Sequence, residues 1–284
     1  MPMFGYHAVY ESDFTSALEA AAEYGFHYVQ FDLNVPDFYI DELTSKQLDN
    51  IRAMSLDLGV GISFHAPGDS VGLFTDYPLI RKGLLDHLKL VLRQANHLGA
   101  HHLTVHPLDP PFFRRADSLE DSFRAEHHDY FSGVLKENLT QLIGAAAEVP
   151  IVVENCHLGG TARNALAELI LEGTEVFLAL DWAKMHKKGR VLDEDQDSFY
   201  AQHRHRIREL HLHDADGQGR SHLAPGQGNL DFSPLFSRFY DKSQWLTVEV
   251  RPVSEAVRAR AIFSRMCSGV NDGIDCNEAR AQSP

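Results

Sequence analysis

At 284 residues, 44% of them apolar and 23% charged, the chain is long enough to bury one large core and has no compositional break that would divide it. A formal net charge of −14, opposed only by scattered basic pairs such as Arg114–Arg115 and Lys187–Lys188, repels phosphate backbones and so excludes duplex nucleic acid and anionic membrane surfaces as partners. Three cysteines (Cys156, Cys267, Cys276) without CxxC spacing, no leader-like start in MPMFGYHAVYESDF and no run of about 18 apolar residues predict a soluble cytoplasmic protein without a disulfide scaffold.

From the N-terminus onward, short apolar runs alternate with segments of helical period. The runs are MFGYHAV, YVQFDLN, VGISFHAP, HHLTVHP, IVVEN, VFLALDW, IRELHLHD and WLTVEVRP. Between them lie helix boundaries. Asp13 precedes an alanine-rich run ending at Gly25, Thr44 and Gln47 form a capping box for a helix ending at Gly59, and Asp76 with Pro78 opens one ending at Gly99. Ser118 opens a long helix that closes before Pro150, Thr161 one that closes at Gly173, Ser233 precedes Pro234, and Ser254 caps the last. Eight βα units in one chain of this length predict an α/β fold, a single closed (β/α)8 barrel over residues 1–266, with an open doubly wound sheet as the alternative. After Met266 the apolar period is lost, so 267–284 is expected to be a disordered tail.

Barrel enzymes place their chemistry where each strand's carboxyl end meets the following loop. The residues closing the apolar runs are His7, Asp32 with Asn34, His65, His106, Glu154, Asp181, His211 with His213, and Glu249. One such residue at a strand end is ordinary, but every strand delivers an imidazole, carboxylate or amide to the same rim, and this convergence predicts a divalent-metal site.

SFHAP, LTVHP, VVENCHLGG, LALDWAKMH, LHLHD with SHLAPGQG, and LTVEV together resemble the xylose isomerase-like barrel superfamily, which holds sugar isomerases and epimerases and the type IV apurinic endonucleases. The resemblance implies one metal held by Glu154, Asp181, His211 and Glu249. His211 is the implied ligand because an acidic residue, Asp214, follows three positions later; His213 shares its face by strand alternation and is the alternative. The endonuclease-like branch implies a second metal on His65 and His106 with Glu154 bridging. Its third metal is not expected, because Lys184 and Arg220 stand where that branch has ligands, leaving only His222 unless His186 is shifted into place.

The ligand set suits Mn²⁺, Mg²⁺ or Co²⁺ at the primary site and Zn²⁺ at a second. The chemistry expected is isomerisation or epimerisation of a sugar or sugar phosphate through an enediolate, with Glu154 and Glu249 as the catalytic acid–base pair. His65, His106, His213 and His222 would orient hydroxyls, the first two unless they bind metal. Lys184, Arg220 and Arg251 would bind an anionic group on a polyhydroxylated small molecule. Asp214 is the candidate to orient the His211 ring, and Gly217, Gly219, Gly226 and Gly228 to let the loop turn over the pocket. The alternatives are a dinuclear phosphoester hydrolase and a metal-bearing barrel without catalysis.

Overall fold

Each of the eight apolar runs forms a strand: β1 (Met3–Ala8), β2 (Tyr28–Asp32), β3 (Gly61–His65), β4 (Leu103–Val105), β5 (Ile151–Glu154), β6 (Val176–Asp181), β7 (Ile207–Leu212) and β8 (Trp245–Val248). The computed structural model describes residues 2–67, 72–110, 125–156, 158–187 and 191–272. All eight strands pair in parallel with their neighbours in sequence, and β1 closes on β8 to make a (β/α)8 barrel. Helices cover the outside, which is why the strands read as nearly continuous apolar runs rather than alternating ones. The register sets Asp32 beside His65 and Asp181 beside His211, so the polar strand ends meet at one rim.

Among the described residues eight α-helices complete the units: α1 (Phe14–Glu23), α2 (Ser45–Leu58), α3 (Pro78–Leu98), α4 (Ala125–Ile143), α5 (Gly160–Leu171), α6 (Glu194–Gln202), α7 (Ser233–Arg238) and α8 (Val253–Asp272). Asp13 and Thr44 cap α1 and α2 as expected, each reciprocated by the residue at the third helical position, Ser16 or Gln47. Gly59 and Gly99 end α2 and α3 in the left-handed conformation that glycine adopts at least cost.

Other boundaries shift. Tyr77, not Asp76, precedes α3, and Asp76 instead accepts a hydrogen bond from the Tyr130 hydroxyl at 2.9 Å. Gly159 precedes α5 in place of Thr161, and α8 starts at Val253, one residue before Ser254. The start proposed at Ser118 lies outside the described residues. Helix α6, for which no sequence boundary was identified, is short and capped by Asp193, whose side chain accepts from the Gln196 amide at 3.2 Å. His186–Lys187 pairs antiparallel with Val191–Leu192. At the C-terminus, α8 runs past Met266 to Asp272, and Cys267 is 1% exposed. Residues 273–284 lie outside the described residues. Among the described residues, no helix is long and apolar enough to cross a membrane.

The barrel interior is polar. Gln30 on β2 donates to Glu209 on β7 at 2.7 Å, and these strands are not neighbours, so the contact crosses the lumen. Thr104 and Thr247 donate to the same carboxylate at 2.6 and 2.5 Å, and Tyr28 shares a 2.7 Å hydrogen bond with Thr247. Below this network the His102 ring stacks on Trp245 at 4.3 Å.

Candidate active site

Four buried side chains crown this interior. Glu154 and Asp181 end β5 and β6, His211 sits one residue before the end of β7, and Glu249 follows β8 directly. His211 Nδ1 lies 3.3 Å from Glu249 Oε1 and 3.5 Å from Glu154 Oε2. From the opposite side, His65 Nε2 and His106 Nε2 reach Glu154 Oε2 at 3.2 and 2.7 Å, with 3.0 Å between the two nitrogens. His213 Nε2 is 3.2 Å from Asp181 Oδ2.

Glu209 holds the other edge of His211: its Oε1 lies 3.2 Å from His211 Nε2, a bent contact rather than an in-line hydrogen bond. Three side-chain donors and His102 Nε2, 3.1 Å away, satisfy this fully buried carboxylate. Glu209 lies inside an apolar run, away from the strand end where such residues are sought. Positions 209, 211 and 213 share one strand face, and a charged residue on that face was the available signal. The Asp214 carboxylate does not orient His211; it accepts from the backbone amides of Ala215 (2.8 Å), Gly226 (2.9 Å), Gly228 (3.0 Å) and Leu230 (3.1 Å). Gly228 is required here, since a Cβ would stand 2.3 Å from Asp214 Oδ1.

The loop so fixed carries His222 back over the site. Its backbone is left-handed (φ 57°), its amide donates to His213 Nδ1 at 3.1 Å, and the two rings lie 4.4 Å apart. A cleft of about 210 Å³ opens above, lined in part by Lys184, His213, Arg220 and His222. Of the three cations expected to bind an anion, two therefore line the cleft, but each of the three has a partner. Lys184 Nζ donates to Glu154 Oε1 at 2.6 Å, Arg220 Nε to Asp216 Oδ2 at 2.7 Å, and Arg251 Nη2 contacts His7 Nδ1 at 2.7 Å. Arg251 does not line the cleft. His186 turns away, its Nδ1 2.8 Å from the Trp182 carbonyl.

Burial alone would raise the Glu154 carboxyl, but Lys184, His106 and His211 hold it well below the usual range. Burial opposes ionisation of Glu249 too, and His211, His7 and His222 overcome it. For His211 the burial penalty is outweighed by Glu249, Glu209 and Glu154, which lift the imidazole well above its ordinary value. Burial wins at His222 and His7, lowering them to about 4 and about 3. Without a metal the surrounding carboxylates thus favour a proton on His211, and a cation bound at its Nδ1 would replace that proton.

Its donor chemistry fits a divalent cation. Glu154, Asp181 and His211 offer atoms within 4.8 Å of one another, as do His65, His106 and Glu154, and also His213, His222 and Glu249. Glu249 Oε2 and His211 Nδ1 are buried and have no hydrogen-bond partner, an arrangement that is costly unless a cation meets them.

A family model described as xylose isomerase-like TIM barrel matches residues 18–266. The chain belongs to that family. Among solved structures, a D-tagatose 3-epimerase-like protein superposes with a TM-score of 0.75 at 19% identity, over 96% of this chain and 99% of the other. The IOLI protein with a binding zinc atom gives 0.70 at 16% identity, over 95% and 99%. The TTHB071 protein from Thermus thermophilus, soaked with ZnCl2, gives 0.69 at 20% identity, over 94% and 98%. Identities this low establish a shared fold. No curated protein matches the sequence significantly.

The chain gathers its ionisable groups at the carboxyl rim of the barrel, where barrel enzymes place their chemistry. The rim brings together Glu154, Asp181, His211, Glu249, His65, His106, His213 and His222, with Lys184 packed among them. Such a set can bind a cation, position hydroxyl groups and move a proton between carboxylates on two sides of a small molecule.

Proposed function

We propose that this protein is a cytoplasmic, divalent-metal-dependent isomerase or epimerase of a neutral polyhydroxylated ketose, with Glu154, Asp181, His211 and Glu249 as ligands of Mn²⁺, Mg²⁺ or Co²⁺. The observation that carries this reading is the buried, unpartnered pair of Glu249 Oε2 and His211 Nδ1 beside two further carboxylates. A bound divalent ion would polarise a substrate carbonyl and make the adjacent C–H more acidic. A carboxylate that gives one oxygen to the ion keeps the other as a base, and Glu249 is the group that takes the proton. Glu154, reaching the site from β5 rather than β8, would take a proton from solvent and deliver it to the other face of the carbon while Glu249 releases its own to solvent, and delivery to the opposite face is the requirement for inversion.

His213 and His222, lining the cleft, orient substrate hydroxyls. A neutral substrate is favoured because Arg220 and Arg251 are already engaged, by Asp216 and His7. Epimerases among the similar folds, including a 3-keto-D-glucoside 4-epimerase from E. coli and an L-ribulose 3-epimerase, are consistent with a sugar substrate.

One observation favours a second reading. His65 Nε2 and His106 Nε2 converge on Glu154 Oε2, an arrangement suited to a second metal such as Zn²⁺ and hence to a dinuclear phosphoester hydrolase. Counting metal per chain by elemental mass spectrometry after loading and desalting separates the two. One ion with ketose turnover supports the isomerase. Two ions with phosphoester cleavage support the hydrolase, and no ion removes both.

A further inference from the structure

The turn after β6 delivers a lysine into the pocket by construction. Asp181 is clamped to β5 by Asn155, whose Oδ1 accepts the Asp181 amide at 2.7 Å and whose Nδ2 donates to the Asp181 carbonyl at 3.0 Å. Asp181 Oδ1 then accepts the amides of Ala183 and Lys184 at 2.8 and 3.1 Å, closing a tight turn. The side chain at 184 is thereby sent back over the barrel mouth. Its Nζ lies 2.6 Å from Glu154 Oε1 and 3.6 Å from Asp181 Oδ2, bridging two carboxylates that also face His211.

An ammonium at that point does part of the work a divalent ion would do, because it neutralises the charge of Glu154 and Asp181 where they converge. A metal entering between them must either push the ammonium aside or share the two oxygens with it, and both cost affinity through like-charge repulsion in a site with little water. The lysine is not sealed in. Its side chain is 31% exposed and lines the same cleft as His213 and His222, so it has a place to go.

We propose that Lys184 is a tethered cation that competes with the divalent metal for Glu154 and Asp181, making metal binding at this site weak and readily reversible. The inference rests on the metal-site reading above and assigns Lys184 to control of metal occupancy, not to capture of an anionic substrate.

The test is calorimetric titration of MnCl2 into the metal-free full chain and into its Lys184→Met and Lys184→Arg variants. Lys184→Met should bind Mn²⁺ roughly tenfold or more tightly than the wild type, and Lys184→Arg, which keeps the charge, should stay within about threefold of it. An unchanged or weaker affinity in Lys184→Met would overturn the competition while leaving the metal site in place. Absence of Mn²⁺ binding in every form would remove the metal-site reading and the competition together. Lys184→Gln gives the same comparison should the methionine variant fail to fold.

Discussion

Replacing Asp214 by alanine removes one carboxylate that satisfies four backbone amides, at Ala215, Gly226, Gly228 and Leu230. A hydrogen bond to a charged acceptor contributes about 1.5–3 kcal/mol. Four cannot simply be summed, because the loop is partly exposed at Gly226 and Gly228 and water can reach some of the freed amides. A loss of about 3–5 kcal/mol is expected, as for other broken buried charge contacts. In a chain of this size that lowers the melting temperature by roughly 6–20 °C. The backbone bridge between Asp214 and Leu223, with bonds of 2.8 and 3.0 Å, survives the substitution and keeps the near end of the loop in place. Urea unfolding followed by circular dichroism, with Mn²⁺ titration alongside, should therefore show a large stability loss with metal affinity retained within about threefold, since the binding groups stay where they are. A loss below about 1 kcal/mol, or a metal affinity reduced in the 10–100-fold range typical of lost ligand-orienting partners, would refute this and restore Asp214 as the group that orients His211.

Glu209→Gln should do the reverse, weakening Mn²⁺ binding by roughly 10–100-fold in a folded protein, because it is Glu209 that lies against His211 Nε2. Burial would raise the Glu209 carboxyl, but His102 and His211 hold it well below its ordinary 4.5. Its stabilisation is therefore present above the unfolded value and lost as the pH falls through the lower folded one, so the variant's thermal stability should vary less across the acid limb than the wild type's. Arg220→Ala should change the Michaelis constant of a ketose substrate less than about threefold and stability by less than about 0.5 kcal/mol, because the side chain is 66% exposed and its ion pair with Asp216 is a surface one. A tenfold or greater rise in that constant would instead make Arg220 a substrate-binding residue.

The barrel and its rim were legible because parallel strands all end at one face, so the polar residues that close the third to eighth apolar runs meet there. Helix starts could be read where the chain carries both halves of a capping box, as at Asp13 with Ser16 and Thr44 with Gln47. They were misread at Asp76 and Thr161, where the residue before the helix, Tyr77 or Gly159, makes no side-chain cap. Helix α6 was passed over because it is short and its first turn is acidic, leaving little apolar period to detect. Partners were harder still. Lys184 and Arg220 were visible as charges, but only the folded turn joins Lys184 to Glu154 and only the loop joins Arg220 to Asp216. Glu209 looked like a strand interior because the residues it serves, from Gln30 to Thr247, are brought to it by barrel closure rather than by sequence.

Proton transfer at a carbon beside a carbonyl is read most directly by incubating Mn²⁺-loaded protein with a panel of ketoses in D2O and following deuterium at the adjacent carbon by NMR. The wild type should wash solvent deuterium into at least one neutral ketose, and Glu249→Gln, with its metal still bound, should not. No exchange into any ketose by the metal-loaded wild type, or undiminished exchange by metal-loaded Glu249→Gln, would contradict the proposed role of this carboxylate at the centre of the barrel.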